Sequence, residues 1–148
     1  MLLGEAAKPT TVSAYTTLLQ PYLPPVDTVD AIWRTKSGIS GTFSVSFGTT
    51  VSGSEYSVAC EKGSVTVVGS TVTVRQGQEG EGSSTEKDFS SQGSGVKQEV
   101  AAWAESLVSG QANPRQAPEE ALADLEILEK MLRSGEAQGK GENLCYQI

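Results

Sequence analysis

The alternation of apolar and polar side chains divides the chain into three zones. Residues 1–95 alternate with a period of two or run β-branched, residues 96–134 repeat at helical spacing, and residues 135–148 show no period. In the first zone, residues 11–16 are rich in β-formers, and Val29, Ala31 and Trp33 alternate with Asp30, Ile32 and Arg34. Ile39, Phe43, Val45 and Phe47 alternate with Ser40, Thr42, Ser44 and Ser46. Lys36-Ser37-Gly38 between these runs predicts a hairpin turn. Tyr56, Val58 and Cys60 lead into Glu61-Lys62-Gly63, residues 65–68 return, and Gly69-Ser70 turns into residues 71–74. Five or six short strands joined by tight turns predict a mostly antiparallel sheet. Residues 76–95 have the composition of a loop, with Lys87-Asp88-Phe89 as a short edge strand inside it.

The second zone predicts two helices. Val96, Val100, Trp103, Ala104, Leu107 and Val108 form one apolar stripe that Gly110 ends. Pro118 starts the second helix, with Glu119 and Glu120 at the positive end of its dipole. Ala121, Leu122, Leu125, Leu128 and Leu132 are its expected buried face, with Arg133 and Gly135 at its C-terminus. Two helices can cover one face of the sheet. The fold class expected is therefore α+β: an open, mostly antiparallel sheet of about six strands with two helices on one face. Residues 1–140 form the expected domain and residues 141–148 a polar tail. Met1-Leu2-Leu3-Gly4 resembles the last turn of a helix, which implies preceding chain.

Composition narrows the chemistry. The chain has 148 residues, one domain's worth. Eleven Lys+Arg against 18 Asp+Glu give a formal charge of −7, so a nucleic-acid partner is not expected. There is no histidine, which excludes Ser-His-Asp and Cys-His catalysis and His-ligated zinc. No stretch has the length of a membrane span and no signal-peptide pattern is present, so a cytoplasmic location and no membrane partner are expected. The two cysteines form no framework. Cys60 in its apolar run is expected to be a small buried hydrophobe, and no cation near Cys145 in sequence would activate its thiol.

The ordered set of stretches resembles the C-terminal domain of the Gfo/Idh/MocA oxidoreductases, the glucose-fructose oxidoreductase and inositol dehydrogenase type. Residues 24–31 run into Ser37-Gly38-Ile39-Ser40-Gly41-Thr42-Phe43-Ser44-Val45-Ser46, similar to one family hairpin. Residues 56–65, with Cys60-Glu61-Lys62-Gly63-Ser64, are similar to a second. Residues 118–134 are similar to the family's closing helix. The resemblance implies a domain for substrate and subunit contacts that follows a Rossmann domain for NAD(P). It also implies a homo-oligomer formed through the open sheet face. Departures accompany it. A dinucleotide site needs a strand, a Gly-rich turn and a helix N-terminus, and no G-x-G-x-x-G is present. Gly93-Ser94-Gly95 is taken as a linker. Glu61-Lys62-Gly63 is a turn and not the family's catalytic E-K-P motif. No catalytic residue, metal ligand or cofactor is therefore assigned to this chain, NAD(P) belonging to its full-length relatives.

Candidate small-molecule contacts remain. Gln20-Pro21-Tyr22-Leu23-Pro24-Pro25 is a proline-stiffened connector that fixes Gln20 and Tyr22, and by position in the family it lies toward the substrate. Tyr15 and Arg34 are further polar candidates, Arg34 with an ion pair to Glu55 as its other reading. Glu119, Glu120 and Asp124 are taken as a dipole-complementing turn, and Glu79, Glu81 and Glu86 as loop solvation. The expected function is a truncated or stand-alone domain of a Gfo/Idh/MocA-type oxidoreductase, a pseudoenzyme that transfers no hydride by itself. The alternatives are a small isomerase or cyclase acting through Tyr15, Gln20, Tyr22 or Arg34, and a regulatory partner subunit.

Overall fold

The computed structural model describes residues 8–77 and 82–147. The expected helix end at Met1–Gly4 and the loop acids Glu79 and Glu81 lie outside those residues. The architecture is α+β with antiparallel sheets, as the alternation predicts. Among the described residues eight strands form two four-stranded sheets, and the chain divides into two compact units, residues 8–50 with 109–147, and Val51–Val108.

The first unit holds β1 (Pro9–Thr17), β2 (Thr28–Thr35), β3 (Ser40–Ser46) and the two-residue β8 (Glu142–Asn143), in the order β3-β2-β1-β8. Thr35 and Ile39 close the β2–β3 hairpin at 2.8 Å, with Gly38 at φ 88°, so the Lys36-Ser37-Gly38 turn forms as expected. Val12, Ala14 and Ala31 point to one face, where they meet Met131 and, around them, Val29, Trp33, Ile127 and Leu144. Trp33 stands opposite Gly41 on β3, and its indole fills the space that a side chain at position 41 would need. The opposite face carries Thr11, Ser13 and Tyr15 of β1, Asp30, Ile32 and Arg34 of β2, and Ser40, Thr42 and Ser44 of β3. It is tied by hydroxyl bonds such as Ser44 to Asp30 at 2.6 Å.

The helix over this sheet is α2 (Pro118–Glu136), which begins at Pro118 as predicted. Its buried face is not the expected one. Ala123, Glu126, Met131, Ser134 and Gly135 face inward, while Leu122, Leu125, Leu128 and Leu132 are 41–63% exposed. Close approach, and not apolar bulk, selects the inward face. Arg133 and Gly135 lie in its last turn as expected, and a Cβ on Gly135 would collide with the Thr16 side chain, so the glycine is also a contact point with β1. The chain turns at Gln138 and Gly139, both at positive φ. Ser134 is fully buried: its hydroxyl accepts the Ala14 N–H at 2.8 Å and donates to the Lys140 carbonyl at 2.7 Å. β8 pairs only with Thr11 and Val12, so Ser134 satisfies the strand amide that β8 does not reach.

The residues read as a polar tail are part of this unit. Beyond the β8 pairing, the Cys145 and Tyr146 amides and the Gln147 amide group all donate to the buried carboxylate of Glu126. Lys130 adds an ion pair to Glu142 at 3.1 Å. Hydrogen bonding to one helix replaces the apolar period that the sequence lacks here.

The second unit holds β4 (Glu55–Cys60), β5 (Gly63–Val68), β6 (Thr71–Gln76) and β7 (Ser83–Asp88) as a simple meander. β7 is the expected edge strand, but it begins earlier, at Ser83. Gly63 is required at its turn because a Cβ there would strike the Arg75 carbonyl. Tyr56, Val58, Val65, Val67, Val72 and Val74 share one face by register. Cys60 is exposed at the end of that row and not buried, because nothing among the described residues caps the row. The helix α1 (Val96–Ser109) follows, and it has no buried residue.

Ser134→Ala removes the acceptor of a buried strand amide and should destabilise the fold by about 1–3 kcal/mol. Urea unfolding followed by circular dichroism measures it; an unchanged midpoint would show that the Ala14 amide finds another acceptor.

Candidate functional site

The connector between β1 and β2 is held by one carboxylate. Asp27, 4% exposed, accepts the Leu19 amide at 3.0 and 3.1 Å, the Gln20 amide at 2.7 Å and the Thr28 hydroxyl at 2.9 Å. Its own carbonyl accepts the Phe47 amide at 2.8 Å, and Gln20 Nε2 donates to the Gly48 carbonyl at 2.9 Å. Loop 18–27 is thus fastened to the end of β3. The Pro24–Pro25 peptide bond is cis. Removal from water raises the Asp27 pKa, but the Leu19 and Gln20 amides and the Thr28 hydroxyl outweigh it, so its carboxyl sits below the ordinary range. At Glu126 burial likewise raises the pKa, and Gln147, the Cys145 and Tyr146 amides and the Lys130 charge lower it further than burial lifts it.

The four predicted contacts do not form one cluster of side-chain bonds. Gln20 is fixed by its bond to Gly48 and Tyr22 is 75% exposed on the same connector. Tyr15 and Arg34 lie on the open face of the first sheet, Tyr15 opposite Asp30 and Arg34 opposite Thr11 and Ser40. The register places them four residues apart, about 13 Å along the strands. The Tyr15 ring occupies the space beside Gly139. Glu55, the other reading for Arg34, belongs to the second unit. Asp27 and Glu126 are the polar groups that organise this unit, and sequence reasoning missed both as site residues. Asp27 lay inside a family-like stretch; Glu126, between Leu125 and Ile127, carries no signal of its own.

A cavity of about 460 Å³ in the first unit is lined by Lys8, Thr10, Lys36, Ser37, Cys145 and Gln147 among others, and by none of the four predicted residues. Folding thus brings the Cys145 segment beside two lysines that are distant in sequence. Among the described residues no group of three His, Cys, Asp or Glu gathers to hold a metal ion, and no helix is long and apolar enough to cross a membrane. Gly93-Ser94-Gly95 follows a 3-10 turn at Ser90–Gln92 and not a strand. Every strand pair among the described residues is antiparallel.

A four-stranded antiparallel sheet under a close-packed closing helix belongs to a fold that the chain shares with part of several solved oxidoreductases. It is similar to an oxidoreductase from Thermotoga maritima, with a TM-score of 0.71 at 18% identity, covering 94% of this chain and 39% of that one. The aldose-aldose oxidoreductase of Caulobacter crescentus, in complex with glycerol, gives 0.70 at 20% identity over 93% of this chain and 42% of that one. An oxidoreductase from Agrobacterium radiobacter, in complex with NAD+, L-tartaric acid and magnesium, gives 0.73 at 17% identity over 94% and 44%. At such identities the likeness is one of fold. In sequence the chain is 32% identical over 141 residues to dehydrogenase FPY6 of Fusarium mangiferae, and it spans 40% of that relative's length. No family model matches the chain.

Both lowered carboxyls have the same consequence for stability. Their contribution is fully present above the ordinary values, 3.8 for Asp27 and 4.5 for Glu126, and is lost as pH falls below them toward the folded-state values. Urea midpoints taken from neutral pH to about pH 3 should therefore fall in the acid limb, and Glu126→Gln should flatten that fall. An acid limb of unchanged depth in the variant would remove Glu126 from the account.

Proposed function

We propose that this chain is the substrate-side and subunit-contact domain of a Gfo/Idh/MocA-type NAD(P)-dependent oxidoreductase. On this reading the nicotinamide site and the proton-transferring groups belong to a Rossmann domain, joined in a longer product or supplied by another chain. The observation that carries it is the coverage: about 94% of this chain aligns with only about 40% of oxidoreductase relatives. The antiparallel topology and the Gly93–Gly95 geometry support the assignment of hydride chemistry elsewhere.

Within that division of labour, the Asp27-fastened connector presents Gln20 and Tyr22 to a small polar substrate, and Tyr15 and Arg34 belong to the open sheet face. That face, rich in Ser and Thr and carrying Tyr15, Ile32 and Arg34, is the surface for self-association. Rigid presentation is what a substrate wall requires, since positioning and not proton transfer would be its contribution. The domain by itself is a binding module, without a redox role.

Titration of the purified chain with NADH, followed by nicotinamide fluorescence, should show no saturable binding; a Kd of about 1 μM or tighter, some −8 kcal/mol, would overturn the reading. Fusing the chain to a Rossmann segment carrying G-x-G-x-x-G and E-K-P should restore NADH binding, and Tyr22→Ala in the fusion should raise KM for its polyol or sugar substrate while leaving NADH affinity unchanged.

A further inference from the structure

Charge is distributed unevenly over the first unit. The chain carries a formal charge of −7, yet among the described residues the charged side chains lining the cavity of about 460 Å³ are Lys8 and Lys36. The strand register brings them together. Pro9 of β1 pairs with Thr35 of β2, so Lys8 and Lys36 are the next residues outward on the two antiparallel chains. Like charges at facing positions of a ribbon repel. The turn keeps Lys36 in place: Thr35 accepts the Gly38 amide through its carbonyl at 3.0 Å and the Ile39 amide through its hydroxyl at 3.1 Å.

The segment after β8 supplies a further wall, and it is fixed as well. The Leu144 amide donates to the Thr10 carbonyl at 2.9 Å, and Gln147 Nε2 donates to the Ala123 carbonyl at 2.9 Å. The Glu126 carboxylate that holds this wall is buried and occupied by three N–H donors, and it does not line the cavity. Pro9 is buried, Leu144 packs against the core cluster, and both add apolar lining. The space exceeds that of a bare oxyanion, since a water takes about 30 Å³. A cavity of this size with fixed walls and a few polar groups suits a small organic ligand.

We propose that this cavity binds a small phosphomonoester, with its phosphate between Lys8 and Lys36 and its organic body against Pro9 and Leu144. A phosphomonoester carries close to two negative charges at neutral pH, which match the two ammonium groups. Each ammonium has three N–H donors, so it serves the phosphate and another group at once. The bound dianion offsets the repulsion between the lysines. It also joins the start of β1, the β2–β3 turn and the segment after β8, which are distant in sequence. The cavity lies at the Pro9 end of β1, about 27 Å along the strand from the connector that follows Thr17. Its ligand is therefore a second small molecule and not the one presented to Gln20 and Tyr22.

Cys145 lines the cavity and is exposed, so its alkylation reports on occupancy. In a Cys60→Ser background it is the remaining thiol. At constant ionic strength, phenyl phosphate should protect Cys145 from iodoacetamide saturably, with half-protection at about 1 mM or below, and phenol should give none. Lys36 is exposed in its turn, so its replacement leaves the fold intact. Lys36→Gln should raise the half-protecting concentration at least about fivefold, while Lys36→Arg, which keeps the charge, should hold it within about twofold. At low salt, the rate of iodoacetate relative to iodoacetamide at Cys145 should fall about threefold in Lys36→Gln. No protection up to about 10 mM phenyl phosphate, equal protection by phenol, or a Lys36→Gln variant with the parent's protection and rate ratio would overturn the proposal.

Discussion

The first unit depends on how closely α2 can lie against β1. Ser134 and Gly135 set that distance from the helix side: one supplies the hydrogen-bonding partner that the strand lacks, and the other leaves room for Thr16. A larger or apolar residue at either position separates the layers or strands a buried amide. The apolar cluster of Val12, Ala14, Ala31 and Met131 is small, and its side chains meet only at this spacing. Helix placement therefore rests on polar satisfaction and steric fit, with hydrophobic burial following from them.

Two buried carboxylates extend the same logic to the chain's irregular segments. Asp27 gathers the β1–β2 connector and the end of β3; Glu126 gathers the residues after β8. Each binds backbone amides that no sheet or helix ladder satisfies. A segment without periodicity can be ordered in this way, since several charge-assisted hydrogen bonds to one group replace a ladder.

What the sequence disclosed follows from this division. Period-two alternation located the strands and the Gly38 and Gly63 turns, because those elements are built by local geometry. Pro118 and Gly110 marked helix ends for the same reason. The inward face of α2 was hidden, since Leu125, Leu128 and Leu132 have the stronger apolar signal and yet face outward. The order of residues 142–147 was hidden too, because it is imposed by Glu126 from elsewhere in the chain. Of the candidate site, the stiff connector was legible from its prolines, but the Asp27 anchor was not: a carboxylate's amide partners are set by tertiary folding.

Gly48 shows how such an anchor restricts substitution. Its backbone is not in the left-handed region, so torsion does not demand a glycine. Space does: a Cβ would lie 2.5 Å from the Asp27 carboxylate. The two positions are thus bound into one inherited unit. A lineage that replaces the glycine must also shorten or lose the acid, and with it the fastening of Leu19 and Gln20.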